Sequence, residues 1–302
     1  MRILAPVDGS LNSRMIIRFL GSRSTLLGKK PQIELLNVQY TIPEGIVQRF
    51  GMEAVEEVYQ EEGRRIFEQL RPDIEAAGLD PELKVVYGEF GKAIAREAEA
   101  SRSDLIIMGT RGLSPMKSLF LGSVSRSVLQ YSKTPLLLIR DKLPAMKESL
   151  RVALAVDGSP YGDAAAAFVA DEPEIFGSAP KISVLHVVPD ISAIAARGAI
   201  ETVSPVDDIK IFNEERDKAY AAATKPVLDA LKLAGLDAEA VRLTGDPAEE
   251  VAKWAQQNAD IVVMGSHGYG KFKSAVLGSV AVRVGADTDL PLLVVRSEAE
   301  EG

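Results

Sequence analysis

The residues with chemical potential in this sequence come in two copies. Asp8 opens an Asp-Gly-Ser after a short apolar run, and Asp157 does the same. Farther on, Gly109, Gly112, Gly122 and Ser123 follow the spacing G-x2-G-x9-G-S, which Gly265, Gly268, Gly278 and Ser279 repeat. Backbone N–H groups at a glycine-rich turn and at a helix start point outward with partial positive charge, so each stretch suits an anion and above all a phosphate. A carboxylate does not usefully face phosphate without a metal. Asp8 and Asp157 are therefore expected to meet the hydrogen-bond donors of a base or a ribose. The plainer alternative is that Asp-Gly-Ser turns the chain and caps the next helix.

Other nucleotide loops fit less well. Gly265 to Lys271 begins like a P-loop, but Phe272 stands where Ser or Thr would ligate magnesium, and the first copy has Ser114-Pro115 where Gly-Lys is needed. The dinucleotide fingerprint G-x-G-x-x-G is absent after both first strands. Catalytic groups are sparse. His186 reads as a core or pocket-wall residue, and His267 lies inside the glycine loop where the first copy has Arg111, a stronger phosphate donor at any pH. Ser123 and Ser279 have no base beside them in sequence, so a Ser-His-Asp hydrolase has no support. Met108 and Met264 end apolar runs and read first as packing.

These residues need elements to hold them. Residues 104–140 shifted by 156 onto 260–296 are identical at 15 of 37 positions, so the chain is a duplication. The offset is 149 at the first strands and 157 at Gly78 and Gly235, placing a net insertion between 188 and 235. Apolar runs without alternation predict strands buried on both faces. In the first half they cover 3–7, 33–38, 83–87, 104–108 and 136–140; in the second, 152–156, 182–188, 240–243, 261–264 and 292–296. Between them, helices are expected over 12–27, 53–77, 92–100 and 123–131, with Val55, Val58, Tyr59, Ile66 and Leu70 inward and Pro72 kinking or restarting the second. Alternating strands and helices predict two Rossmann-like or flavodoxin-like α/β domains, each a five-stranded, mainly parallel sheet with helices on both faces. The proposed division is 1–143 and 144–302, inside the polar stretch around Pro144. Residues 191–208 lack periodicity and read as a surface insertion or as a loop over the pocket.

Both halves resemble universal stress protein domains of the nucleotide-binding type. The glycines and serines above match that family's G-x2-G-x9-G-[S/T], Asp8 and Asp157 match its aspartate, and Val38 and Val187 match the residue whose backbone flanks adenine. The resemblance covers nearly the whole chain as a tandem pair. It implies ATP or AMP binding, often with magnesium or manganese, and a regulatory role in stress survival. The site residues it implies are Pro6, Val7, Asp8, Val38, Met108, Gly109, Arg111, Gly112, Gly122, Ser123, Val124 and Ser125 in the first half. In the second they are Ala155, Val156, Asp157, Val187, Met264, Gly265, His267, Gly268, Gly278, Ser279 and Val280. A slow ATPase and a nucleotide-independent scaffold are the alternatives.

The 302 residues carry 35 Lys and Arg against 43 Asp and Glu, a net charge of −8. With no basic stripe, a nucleic-acid partner is disfavoured, since phosphate neutralisation supplies most of that affinity. The absence of cysteine excludes disulfides and thiolate chemistry and fits a reducing compartment. With no apolar run near the ~20 residues of a membrane helix, a cytoplasmic location is expected. The fifth strands are apolar to their ends, and such sheet edges seek partners. The family pairs fifth strands antiparallel, so an internal pseudo-dimer is expected, with room left for a homodimer of chains.

Overall fold

The computed structural model describes residues 1–23, 31–110, 121–140, 147–190, 207–268 and 277–297. The chain divides into two compact units, Met1–Glu148 with Asp289–Val294, and Ser149–Thr288 with Val295–Gly302.

In the first unit, β1 (Arg2–Pro6), β2 (Gln32–Gln39), β3 (Glu82–Tyr87), β4 (Leu105–Gly109) and β5 (Leu136–Ile139) lie parallel in the order β3-β2-β1-β4-β5. This is the 3-2-1-4-5 order of a Rossmann-like sheet, not the 2-1-3-4-5 order of flavodoxin. Neighbouring residues of a strand point to opposite faces, and Leu105, Ile106 and Ile107 are all fully buried. Helices must therefore cover both faces. On the helix side, α1 (Leu11–Arg23) packs against α3 (Met52–Ala76), and α4 (Phe90–Ala100) against α5 (Ser123–Tyr131). The last strand of the chain, Leu292–Val295, runs antiparallel beside β5 with Leu293 opposite Leu137.

The second unit repeats the plan. Its strands β6 (Arg151–Ala155), β7 (Lys181–Val188), β8 (Ala238–Thr244) and β9 (Ile261–Gly265) are parallel in the order β9-β6-β7-β8. Its helices are α6 (Pro160–Asp171), α7 (Asp207–Leu233), α8 (Pro247–Asn258) and α9 (Ser279–Asp287).

The repeated anchors have physical reasons. Gly78 and Gly235 end their helices at positive φ, 64° and 77°, where a side chain is strained. There Leu79 N–H returns to Ile74 O and Leu236 N–H to Leu231 O, closing the two ends alike. Asp104 and Asp260, which open the fourth-strand runs, work at the end of the sheet away from the glycine loops. Each receives the backbone N–H of the first strand's opening arginine, Arg2 at 2.6 Å and Arg151 at 2.9 Å.

Three expectations need correction. Of the two outcomes expected at Pro72, a kink or a restart, the restart does not occur: α3 is one helix from Met52 to Ala76. Pro72 sits in the last turns, where the missing N–H forfeits a single bond and Asp73 is held by Arg14 and Arg18 of α1. Val58 does not face inward but is 51% exposed, because α3 turns Val55, Tyr59 and Gly63 to the sheet. A short helix, α2 (Glu44–Phe50), precedes α3 with no buried residue, so no apolar face marked it. Residues 24–27 of the first predicted helix, most of 191–208, and Arg111, Gly112, Pro115, Lys271 and Phe272 lie outside the described residues.

Candidate functional site

In each unit the strand order reverses between the first and fourth strands, and ligands of doubly wound sheets sit at the carboxyl ends of strands flanking such a reversal. In the first unit β1 lies between β2 and β4; in the second β6 lies between β7 and β9. Asp8 and Gly109 stand at those ends in one, Asp157 and Gly265 in the other.

The aspartates are built into turns. Gly9 and Gly158 take φ of 78° and 82°, which lets each carboxylate fold back on its own backbone. Asp8 Oδ1 accepts Ser10 N–H (3.0 Å) and Ser13 Oγ–H (2.8 Å). Asp157 Oδ1 accepts both the N–H and the hydroxyl of Ser159, at 3.0 and 2.5 Å. Ser159 in turn caps α6, accepting Gly162 N–H. So the turn-forming role is real, and it consumes one oxygen of each carboxylate. No described residue donates to either Oδ2.

The glycine loops close alike. Gly122 N–H donates to Thr110 O (2.8 Å) and Gly278 N–H to Ser266 O (2.7 Å). Thr110 and Ser266, both buried, are tied by their own N–H groups to Ile139 O and Val295 O. Behind Gly122 and Gly278 begin α5 and α9, neither with a side-chain cap. The first backbone returns are Arg126 N–H to Gly122 O and Val282 N–H to Gly278 O. That leaves the N–H groups of Ser123, Val124, Ser125 and of Ser279, Val280, Ala281 without intrahelical acceptors. Ser123 and Ser279 are exposed. The Ser125 side chain serves the loop, its buried hydroxyl donating to Gly109 O (3.1 Å).

In the second unit the loop meets the aspartate directly. A Cβ on Gly268 would stand 2.4 Å from Asp157 Oδ2, so a side chain there would push the carboxylate aside. A Cβ on Gly265 would stand 2.6 Å from the backbone of Tyr161, so the strand end passes hard against the start of α6. Tyr161 also faces the His267 ring, centroids 5.4 Å apart, and His267 Nδ1 lies 3.1 Å from Ser266 Oγ. Tyr161 was missed by sequence reasoning; its counterpart is Asn12, so the repeat gave no signal. The first unit's matching contact falls on Gly112, outside the described residues.

The remaining wall is made by the second strands. Val7 and Val156 are buried and donate N–H to Leu36 O and Leu185 O. Val38 and Val187 are half-buried at the strand ends, as are Pro6 and Ala155. Behind them Asn37 Nδ2 donates to Val7 O (2.8 Å), and His186 Nδ1 reaches Val156 O (2.9 Å). A carbonyl only accepts, so Nδ1 carries the proton, and His186 is a structural wall residue. Met108 and Met264 are buried at their strand ends and pack.

Comparison with known proteins places both units in one family. A profile described as the universal stress protein family matches residues 1–140 and again 149–296. A universal stress protein of Mycolicibacterium smegmatis is 29% identical over 97% of this chain and 96% of its own length. One from Thermus aquaticus is 32% identical over 48% of this chain and 97% of its own. The crystal structure of a universal stress protein from Archaeoglobus fulgidus superposes with a TM-score of 0.67 at 24% identity, covering 98% of each chain.

Proposed function

From the premise that the chain belongs to the universal stress protein family, we propose that each unit binds one adenine nucleotide, ATP or AMP, and that the protein acts as a nucleotide-responsive stress regulator. One observation carries this reading: among the described residues Asp157 Oδ2 receives no donor, and that oxygen lies against Gly268 of the glycine loop. A donor-rich group such as a ribose suits that oxygen. Phosphates suit the uncapped N–H groups of Ser279 and Val280, because the helix start presents partial positive charge without added side chains. His267 stands in the same loop as a further donor. Val187 and Ala155, half-buried at the strand ends, give the base an apolar seat. In the first unit Asp8, Val38, Pro6, Ser123 and Val124 take the same roles; Arg111 and Gly112, which the family resemblance adds to that site, lie outside the described residues.

Magnesium or manganese that accompanies the nucleotide would ride on its phosphates. The antiparallel register of Leu292, Leu293 and Val294 with Leu138, Leu137 and Leu136 supports an internal pairing of fifth strands. A cytoplasmic setting accords with this reading, and no helix among the described residues is long and apolar enough to cross a membrane. Titration calorimetry with ATP and with AMP tests the reading. Saturable binding at two sites per chain is expected, with phosphate release at the buffer background while ATP stays bound. No heat with either nucleotide overturns it.

A further inference from the structure

The outer edge of β3 is built to accept another strand. In the first unit's order β3 is terminal, paired only with β2 through Glu34–Gln39 against Glu82–Tyr87. Its outward N–H and C=O groups have no strand partner among the described residues, and such an edge is a template for pairing. A cavity of about 380 Å³ lies along it, lined by Glu56, Tyr59 and Gln60 of α3, Val85–Tyr87 of β3 and Arg96 of α4. A second, of about 420 Å³, shares Tyr87 and Arg96 and continues over Gly88, Glu89, Lys92 and Ala93, with Lys92 paired to Glu89 at 2.5 Å.

The two sides of this groove differ in kind. Leu83, Val85 and Tyr87 face α3: Val85 packs where a Cβ on Gly63 would stand, and Tyr87 stacks on Tyr59 at 4.9 Å. Leu83 and Tyr87 are 47 and 42% exposed, two apolar side chains on one face of an open edge. Lys84 points the other way, to Glu97 of α4. On that side Arg96 is exposed with no ion pair or hydrogen bond among the described residues.

The second unit closes the same place. At the 157 offset Gln60, Gly63 and Val85 become Asp217, Tyr220 and Arg242. The Arg242 guanidinium lies 5.2 Å from the Tyr220 ring centroid and 2.7 Å from Asp217 Oδ1. A charged side chain turned inward on an edge strand is a device that discourages pairing. The first unit has lost all three members of it.

We propose that β3 binds an extended polypeptide segment by strand addition, with apolar side chains on the α3 side alternating with acidic ones on the Arg96 side. Main-chain pairing supplies the affinity, and the period of two supplies the specificity. The occupant is a polypeptide because only an extended chain meets a row of main-chain donors and acceptors together with a two-sided groove.

The test uses the full chain and a fluorescein-labelled heptapeptide, Thr-Val-Asp-Val-Asp-Val-Thr, with a twin carrying Lys for Asp. Anisotropy is expected to show saturable binding of the acidic peptide. Arg96→Glu, an exposed change, should weaken it roughly fivefold and favour the lysine twin instead, the scale of one exposed ion pair. Leu83→Lys should weaken both peptides. Hydrogen exchange should slow at the Val85–Gly88 amides on binding. Failure of both peptides to bind overturns the proposal. So does indifference to Arg96→Glu, protection confined to β8, or equal competition by free acetate, which would mark a small-anion site.

Discussion

In the first unit the carbonyl of Val7 receives the amide of Asn37; in the second the carbonyl of Val156 receives the imidazole of His186. One carbonyl, two donors: the geometry of the wall is kept while the side chain that serves it changes. The same holds for the loop closures at Thr110 and Ser266, and for the helix ends at Gly78 and Gly235. Where the requirement is a buried backbone group needing a partner, the units agree, because leaving such a group unpaired costs about 1–3 kcal/mol. Where the requirement is only to fill space at an edge, they diverge, as Gly63 with Val85 and Tyr220 with Arg242 show. The duplication is therefore strict at the strand ends that form the sites and loose at the outer strands.

Substitutions can break that agreement one unit at a time. Gly265→Val should have the largest effect, since its Cβ meets the Tyr161 backbone at 2.6 Å. Overpacking against a main chain that cannot yield should cost about 3 kcal/mol, measured by urea unfolding. Gly268→Val should spare stability by comparison and act on the ligand, crowding Asp157 Oδ2. Calorimetry should then report one nucleotide site per chain; two undiminished sites would refute the pocket assignment.

The aspartate turns sharpen the comparison. Ser159→Ala removes both the hydroxyl on Asp157 and the cap of α6, and should cost about 1 kcal/mol. Ser10→Ala should cost less, because the Ser10 hydroxyl only accepts Ser13 N–H at 3.4 Å and Asp8 keeps both its donors, the Ser10 N–H and the Ser13 hydroxyl. Equal losses would mean that the two turns are not differently supported.

The smallest effect concerns Glu34, where the second unit has Ser183. Burial raises the Glu34 carboxyl above its ordinary 4.5, with Lys84 partly opposing, and Oε1 lacks a hydrogen-bond partner. The folded state therefore holds this proton more tightly than the unfolded chain does. The resulting destabilisation is absent below pH 4.5, where both states are protonated, and grows as pH rises through the folded value. Glu34→Gln should stabilise the protein by about 0.5–1 kcal/mol at pH 7 and by nothing near pH 4. Thermal melts at the two pH values check this.

Much of this was legible in the residues because repetition made weak signals specific. The glycine spacing, read once, is punctuation; read twice behind buried strands, it locates a loop whose ends are tied by the same bond in both copies. Tyr161 and the closing set of Arg242, Tyr220 and Asp217 were not legible, because each occurs once and depends on distant partners. Pro72 left a kink and a restart both open, because local rules price a proline in a helix without the tertiary contacts that hold Asp73 in place.

The sequence by itself determined the two α/β units, their strands and the positions of the loops, since burial on both faces and turn geometry are local demands written in residue type. Only the tertiary structure decided which oxygen of Asp157 receives no donor, and which sheet edge no strand partner, among the described residues. Those outcomes depend on chain segments far apart in sequence arriving within a few ångströms of one another.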